Sequence, residues 1–114
     1  MPLIRKISVK FDVIGMHYWK AAPTKRAYLR DNHRHKFFVI ASIDVEHNDR
    51  DIEFHDFLDF CKKDFPSGQL GGQSCETLAE YLIERIQKKY PNRGIVVQVW
   101  EDNEVGAILT LDID

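Results

Sequence analysis

Apolar and polar residues alternate almost from the start of the chain. Leu3, Ile7, Val9, Phe11 and Val13 mark one side of the pattern, and Arg5, Ser8, Lys10 and Asp12 interrupt it as solvated positions would. A period of two sends successive side chains to opposite faces of an extended chain, so the pattern predicts a first strand over residues 3–14. From Arg34 to Glu46 the run Phe37-Phe38-Val39-Ile40-Ala41-Ser42-Ile43-Asp44-Val45 is rich in aromatic and β-branched residues and free of glycine and proline. It predicts a second, longer strand. Between the two, Tyr18 to Asn32 carries Pro23 and scattered charges without periodicity and reads as a loop of a length that usually serves a function.

The period then changes. Phe54, Phe57, Leu58, Cys61 and Phe65 recur at helical spacing until Pro66-Ser67-Gly68 stops them, which predicts a first helix. Gly71-Gly72 reads as a flexible connector, and Ser74 stands where an N-cap belongs, ahead of Leu78, Ala79, Leu82, Ile83, Ile86 and Tyr90 on one helical stripe. Lys88 and Lys89 fall in the last turn, where cations oppose the helix dipole, and Pro91-Asn92 follows. Two strands, over 94–101 and 105–113, complete the chain around the turn Asp102-Asn103-Glu104. The order ββααββ predicts an α+β domain with a four-stranded antiparallel sheet and both helices on one face, because a sheet with one polar face needs one covering layer.

With 114 residues there is room for one domain, 1–114, and one modest core. A formal charge of -2, from 16 basic and 18 acidic residues, argues against a nucleic-acid polymer or a membrane surface as partner and leaves room for a local cationic pocket. A ligand is therefore expected to be small. Cys61 and Cys75 are too few for a disulfide framework and fit a reducing compartment. The opening Met-Pro-Leu-Ile-Arg-Lys has neither an apolar core nor a cleavage site, and no apolar run approaches the ~20 residues of a membrane span, so the expected location is cytoplasmic.

The candidate chemistry lies in the histidines. His33 and His35 are two apart at the start of the second strand, so alternation points both imidazoles to one side. If the first two strands pair as an antiparallel hairpin across their loop, His17 arrives beside them. Three neutral imidazoles with an open fourth position make a catalytic type of zinc site, able to polarise a bound oxygen. An isolated His-x-His is more often a chance pair on a polar strand end. His47 and His55, outside the pattern, read as exposed polar residues.

A longer motif changes that weighting. Gly15-Met16-His17, then a long loop, then His33-Arg34-His35-Lys36-Phe37-Phe38-Val39 resembles the 6-pyruvoyl- and 6-carboxytetrahydropterin synthase family. The similarity continues through Ile52-Glu53-Phe54, Ser74-Cys75-Glu76-Thr77-Leu78-Ala79 and Val97-Gln98-Val99-Trp100-Glu101, followed by Gly106-Ala107, and spans nearly the whole chain in order. The resemblance implies a tunnelling fold, Zn2+ held by His17, His33 and His35, and a pterin or guanine-type ring recognised by Ser74, Glu76 and Glu101. A carboxylate accepts paired hydrogen bonds from the amino and ring N–H groups of such a base. It also implies trimers whose sheets close into a β-barrel, paired as hexamers, and exposed strand edges give a physical reason for such closure.

Two departures bear on function. The family's catalytic cysteine position falls on Leu29, and the Leu-Asp-His segment between the helices is replaced by the short connector Pro66 to Gln73. The groups that perform the family's proton transfer are thus missing, and Asp31, Tyr28 and Cys75 are the nearby substitutes, each as readily explained as a surface or helix-start residue. Lys20, Lys25, Arg26, Arg30, Arg34 and Lys36 gather around the loop, and Lys25, Arg26, Arg30 and Arg34 are the candidate phosphate cradle, with a solvated charged face as the equal alternative. Tyr18 and Trp19 could stack on a flat ring or close the core. The expectations are a zinc-dependent lyase acting on a GTP-derived pterin, or a non-catalytic module that captures or senses a guanine-type nucleotide on the same fold.

Overall fold

A computed structural model describes residues 3–113. Strand β1 (Arg5–His17) and strand β2 (His33–Val45) pair antiparallel over thirteen residues without a break, from Arg5 opposite Val45 to His17 opposite His33. The first strand therefore runs beyond Ile14, where its alternation fades, because β2 offers hydrogen-bonding partners all the way to its own first residue. The connecting segment contains a short 3-10 helix, Thr24–Leu29, entered at Pro23.

Helix α1 (Phe54–Asp64) begins at Glu53, whose carboxylate accepts the His55 backbone N–H at 2.8 Å. Strand β3 (Gly68–Gly71) follows, then helix α2 (Cys75–Lys89), capped as expected by Ser74, whose hydroxyl accepts the Thr77 N–H at 3.1 Å. Strands β4 (Ile95–Glu101) and β5 (Val105–Leu111) close the chain as an antiparallel hairpin.

The sheet is five-stranded and mixed, in the order β3-β1-β2-β4-β5, which corrects the expected four-stranded antiparallel arrangement. The extra strand lies in the segment read as a connector and runs parallel to the end of β1, with Gly15 opposite Gly68 and His17 opposite Gly71. Its one apolar anchor is Leu70, 2 % exposed. A Cβ on Gly15 would stand 2.5 Å from Leu70 Cδ1, so the glycine provides the space in which Leu70 seats and brings β3 alongside.

Odd-numbered residues of β1, β2 and β4 face a single core: Val9 and Phe11, Phe37, Val39, Ala41 and Ile43, then Ile95, Val97 and Val99. Both helices cover this face, α1 over β1 and α2 over β4 and β5, contributing Phe57 and Cys61 from one, Leu78, Leu82 and Ile86 from the other. Each fully buried large side chain contributes about 1.5–3 kcal/mol before its ordering entropy is counted. The opposite face has no covering layer; there Ser8 and Ser42 pair through their hydroxyls at 2.6 Å while Ile14 and Ile108 remain exposed. Among the described residues no helix is long and apolar enough to cross a membrane.

The β4–β5 turn sets up the site. Asp102 and Asn103 both take positive φ, +52° and +58°, as the two central residues of a tight hairpin turn that closes with Glu104 N–H on the Glu101 carbonyl. Asp and Asn tolerate this left-handed backbone better than other non-glycine residues. The turn carries Asp102 back against β2, where its own N–H meets the Lys36 carbonyl at 2.8 Å.

Candidate metal centre and its cleft

His17 ends β1, His33 begins β2 opposite it, and His35 lies two residues further on the same face. All three imidazoles gather at one end of the sheet on its helix-covered side. Ring centroids are 4.6 Å apart for His17 and His33, 5.1 Å for His17 and His35, and 4.9 Å for His33 and His35, each pair edge to face. Phe37 forms the apolar floor, 5.3 Å from the His17 ring and 5.7 Å from that of His35. His17 is buried and the other two are partly so.

Every Nδ1 is engaged on the outside of the cluster. His17 Nδ1 lies 2.9 Å from the Gln73 carbonyl, His33 Nδ1 2.8 Å from the Asp31 carbonyl, and His35 Nδ1 2.6 Å from Asp102 Oδ2. A carbonyl or an ionised carboxylate can only accept, so each Nδ1 is the donor of its contact and Nε2 is the nitrogen left to face a metal. Such outer acceptors fix the tautomer and orientation of metal-binding histidines. One ligand nitrogen from each ring lies within 4.8 Å of the others, and contraction to roughly 3.3 Å would match three nitrogens about a tetrahedral zinc. The donor set therefore fits a metal.

Two groups here escaped the sequence reading. Asp102 was legible only as a turn residue, yet its carboxylate joins His35 and also accepts the Lys36 N–H at 3.0 Å. Those two bonds, the one from His35 foremost, hold its carboxyl below the usual carboxylate range. Gln73 acts through a backbone carbonyl, which side-chain identity does not reveal. The third outer acceptor is likewise the backbone of Asp31, not its carboxylate.

A cleft of about 510 Å³ opens beside the histidines, large enough for a bicyclic ring with a short tail. His17, His33, Ser74, Glu76 and Glu101 all line it, so the three residues expected to recognise a ring stand together with two of the metal candidates. Glu101 reaches furthest in: its Oε2 is 2.9 Å from His17 Nε2 and 3.5 Å from His35 Nε2. Ser74 spends its hydroxyl on the helix cap, and Glu76 is exposed in the first turn of α2. Tyr18 and Trp19 also border the cleft, Trp19 being 49 % exposed and Tyr18 lying against Gly72.

The cationic residues do not gather there. Lys25 and Arg26 are exposed on the 3-10 helix, Arg30 donates to the Ala22 carbonyl at 2.8 Å, and Arg34 lies on the opposite face of β2 from His33 and His35. None of the four borders the cleft. Of the substitute catalytic groups, Tyr28 is 67 % exposed and lies outside. Cys75 borders the cleft, but burial, with the Glu101 and Glu76 carboxylates adding, pushes its thiol up to about 12 and keeps it protonated. Leu29 lines one wall of the cleft. Cys61 is buried as well, and both thiols are free. His47 and His55 are exposed and remote from the cluster.

No family model matches the chain, and no curated protein matches it. Among solved structures it is similar to an uncharacterised protein from Wolinella succinogenes, at a TM-score of 0.74 and 12 % identity, over 97 % of this chain and 100 % of that one. The likeness is one of fold.

Proposed function

We propose that the chain is a tunnelling-fold protein similar to the 6-pyruvoyl- and 6-carboxytetrahydropterin synthases, holding Zn2+ through His17, His33 and His35 and taking a pterin or guanine-type ring in the adjoining cleft. The observation that carries this reading is the grouping of one ring nitrogen from each of His17, His33 and His35 within 4.8 Å, with each ring tied at Nδ1 to an outer acceptor, beside a cleft bordered by Glu101, Ser74 and Glu76. When bound, the metal would supply Lewis acidity toward a substrate oxygen. The chain's own residues would do the rest: Glu101 and Glu76 accept from the amino and ring N–H groups, Tyr18 and Trp19 flank the ring, and Leu29 excludes water from one wall.

A second reading, capture without turnover, is favoured by one observation: the residues that border the cleft include no ready nucleophile, since Leu29 has no reactive atom and Cys75 stays protonated. Calorimetric titration with GTP and with dihydroneopterin triphosphate, alongside a turnover assay, separates the two. Binding with product formation, both lost in His33→Ala, supports the enzyme. Binding alone supports the capture module, and binding of neither contradicts the ring-recognition proposal.

The same proposal expects trimers, or hexamers made of two trimers, with the sheets closed into a barrel. Its support is the pair of edge strands β3 and β5 and the exposure of Ile14 and Ile108 on the sheet face that no helix covers. The free cysteines are in keeping with a reducing, cytoplasmic setting.

A further inference from the structure

We propose that Glu101 is itself a ligand of the metal, closing the three-histidine set with a fourth donor while the cleft holds no ring. The inference rests on the zinc reading above and goes beyond it, because that reading leaves the fourth position open and gives Glu101 only to the ring.

The argument starts from a shared oxygen. With each Nδ1 taken by an outer acceptor, His17 and His35 turn their Nε2 atoms toward one carboxylate oxygen, Glu101 Oε2, at 2.9 and 3.5 Å. A cation between them, either a metal ion or a proton on Nε2, makes that approach attractive. Ligand atoms about 2.0–2.1 Å from one tetrahedral ion stand roughly 3.3 Å apart, and the two observed separations bracket that figure. Glu101 is positioned for this by register: it ends β4 opposite Phe37, the residue whose ring floors the cluster, and the tight turn at Asp102 holds the strand end in place. A proton shared between His17 and Glu101 is the competing account, and it would leave the carboxylate indifferent to metal.

If the carboxylate holds the ion, it cannot at the same time grip a ring. A ligand that engages Glu101 would then open the fourth position as it binds, making ring capture and exposure of the metal a single event.

The test uses cobalt(II) loaded into the whole protein and zinc competition against a chelator, with wild type, Glu101→Gln, Glu101→Asp and His33→Ala compared after circular dichroism confirms their folds. Wild type is expected to show the intense visible bands of a four-coordinate ion. Glu101→Gln should shift or weaken those bands and bind zinc about tenfold or more weakly, since even outer partners of a ligand are worth 10–100-fold. Glu101→Asp, one methylene short, should show the same change and carries the test if the Gln variant does not fold. Wild-type spectra and affinity in both Glu101 variants, with metal lost in His33→Ala, would overturn the role of Glu101 and leave the zinc reading standing. No uptake by wild type would overturn both.

Discussion

His35 gives its Nδ1 proton to Asp102 Oδ2 across 2.6 Å, joining residues 67 apart in sequence. The other carboxylate oxygen takes the Lys36 N–H, so one side chain fixes both the ring and the strand that carries it. Replacing Asp102 by Ala should leave the fold intact and free the His35 ring to rotate. The expected result is zinc binding weakened by about 10–100-fold, measured by competition with a chelator of known affinity.

The core depends on single aromatic residues of the helix layer. Phe57 is fully buried between α1 and the sheet, with the Tyr90 ring edge-on at 5.9 Å. Phe57→Ala should cost about 3–5 kcal/mol in urea unfolding, the transfer loss plus the cavity left behind.

Gly106 is constrained by backbone atoms. A Cβ there would stand 2.4 Å from the Val99 carbonyl oxygen and 2.8 Å from Trp100 Cα, neither of which can turn aside as a side chain does. Gly106→Ala should therefore push β5 away from β4 and lower stability by about 1–3 kcal/mol. Because Gly106 also borders the cleft, the same change should weaken ring binding in calorimetry.

Acid should act through Asp51. Its carboxylate accepts from Arg93 at 2.7 Å and from the Glu46 N–H at 2.8 Å, and these bonds, Arg93 first, hold it below its ordinary value of 3.8. Because its folded value is the lower one, its stabilising contribution is present above 3.8 and disappears as pH falls through the folded value. Asp51→Asn should melt earlier than wild type at neutral pH and lose less of its melting temperature between about pH 4 and about pH 2. Asp102 and Glu53 are shifted in the same direction, so the acid slope should shrink without vanishing.

Sequence made some of this legible and hid the rest for physical reasons. Alternation located β1 because one of its faces is buried, a run of aromatic and β-branched residues located β2, and Ser74 announced α2 because a cap is a local, side-chain event. Strand β3 escaped because Gly68-Gln69-Leu70-Gly71 holds one apolar residue and pairs with a strand more than fifty residues earlier. A lone Leu in a polar connector, matched by a glycine near the end of β1, was the available signal. The histidines were legible because strand alternation puts His33 and His35 on one side and an antiparallel pairing of the first two strands brings His17 opposite His33. Their outer partners were not, since two of the three are backbone carbonyls and the third arrives through the β4–β5 turn. The direction of the loop's basic residues was not legible because charge says nothing of direction: Arg34 alternates away from its neighbours, and Arg30 is taken by a backbone carbonyl.

Metal content tests the central claim most directly. Protein purified without added zinc and analysed by elemental mass spectrometry should carry about one zinc per chain, and His17→Ala, His33→Ala and His35→Ala should each lose it while remaining folded. A folded wild-type protein that holds no zinc, and takes up none when it is supplied, would contradict the metal centre and the zinc-dependent function built on it.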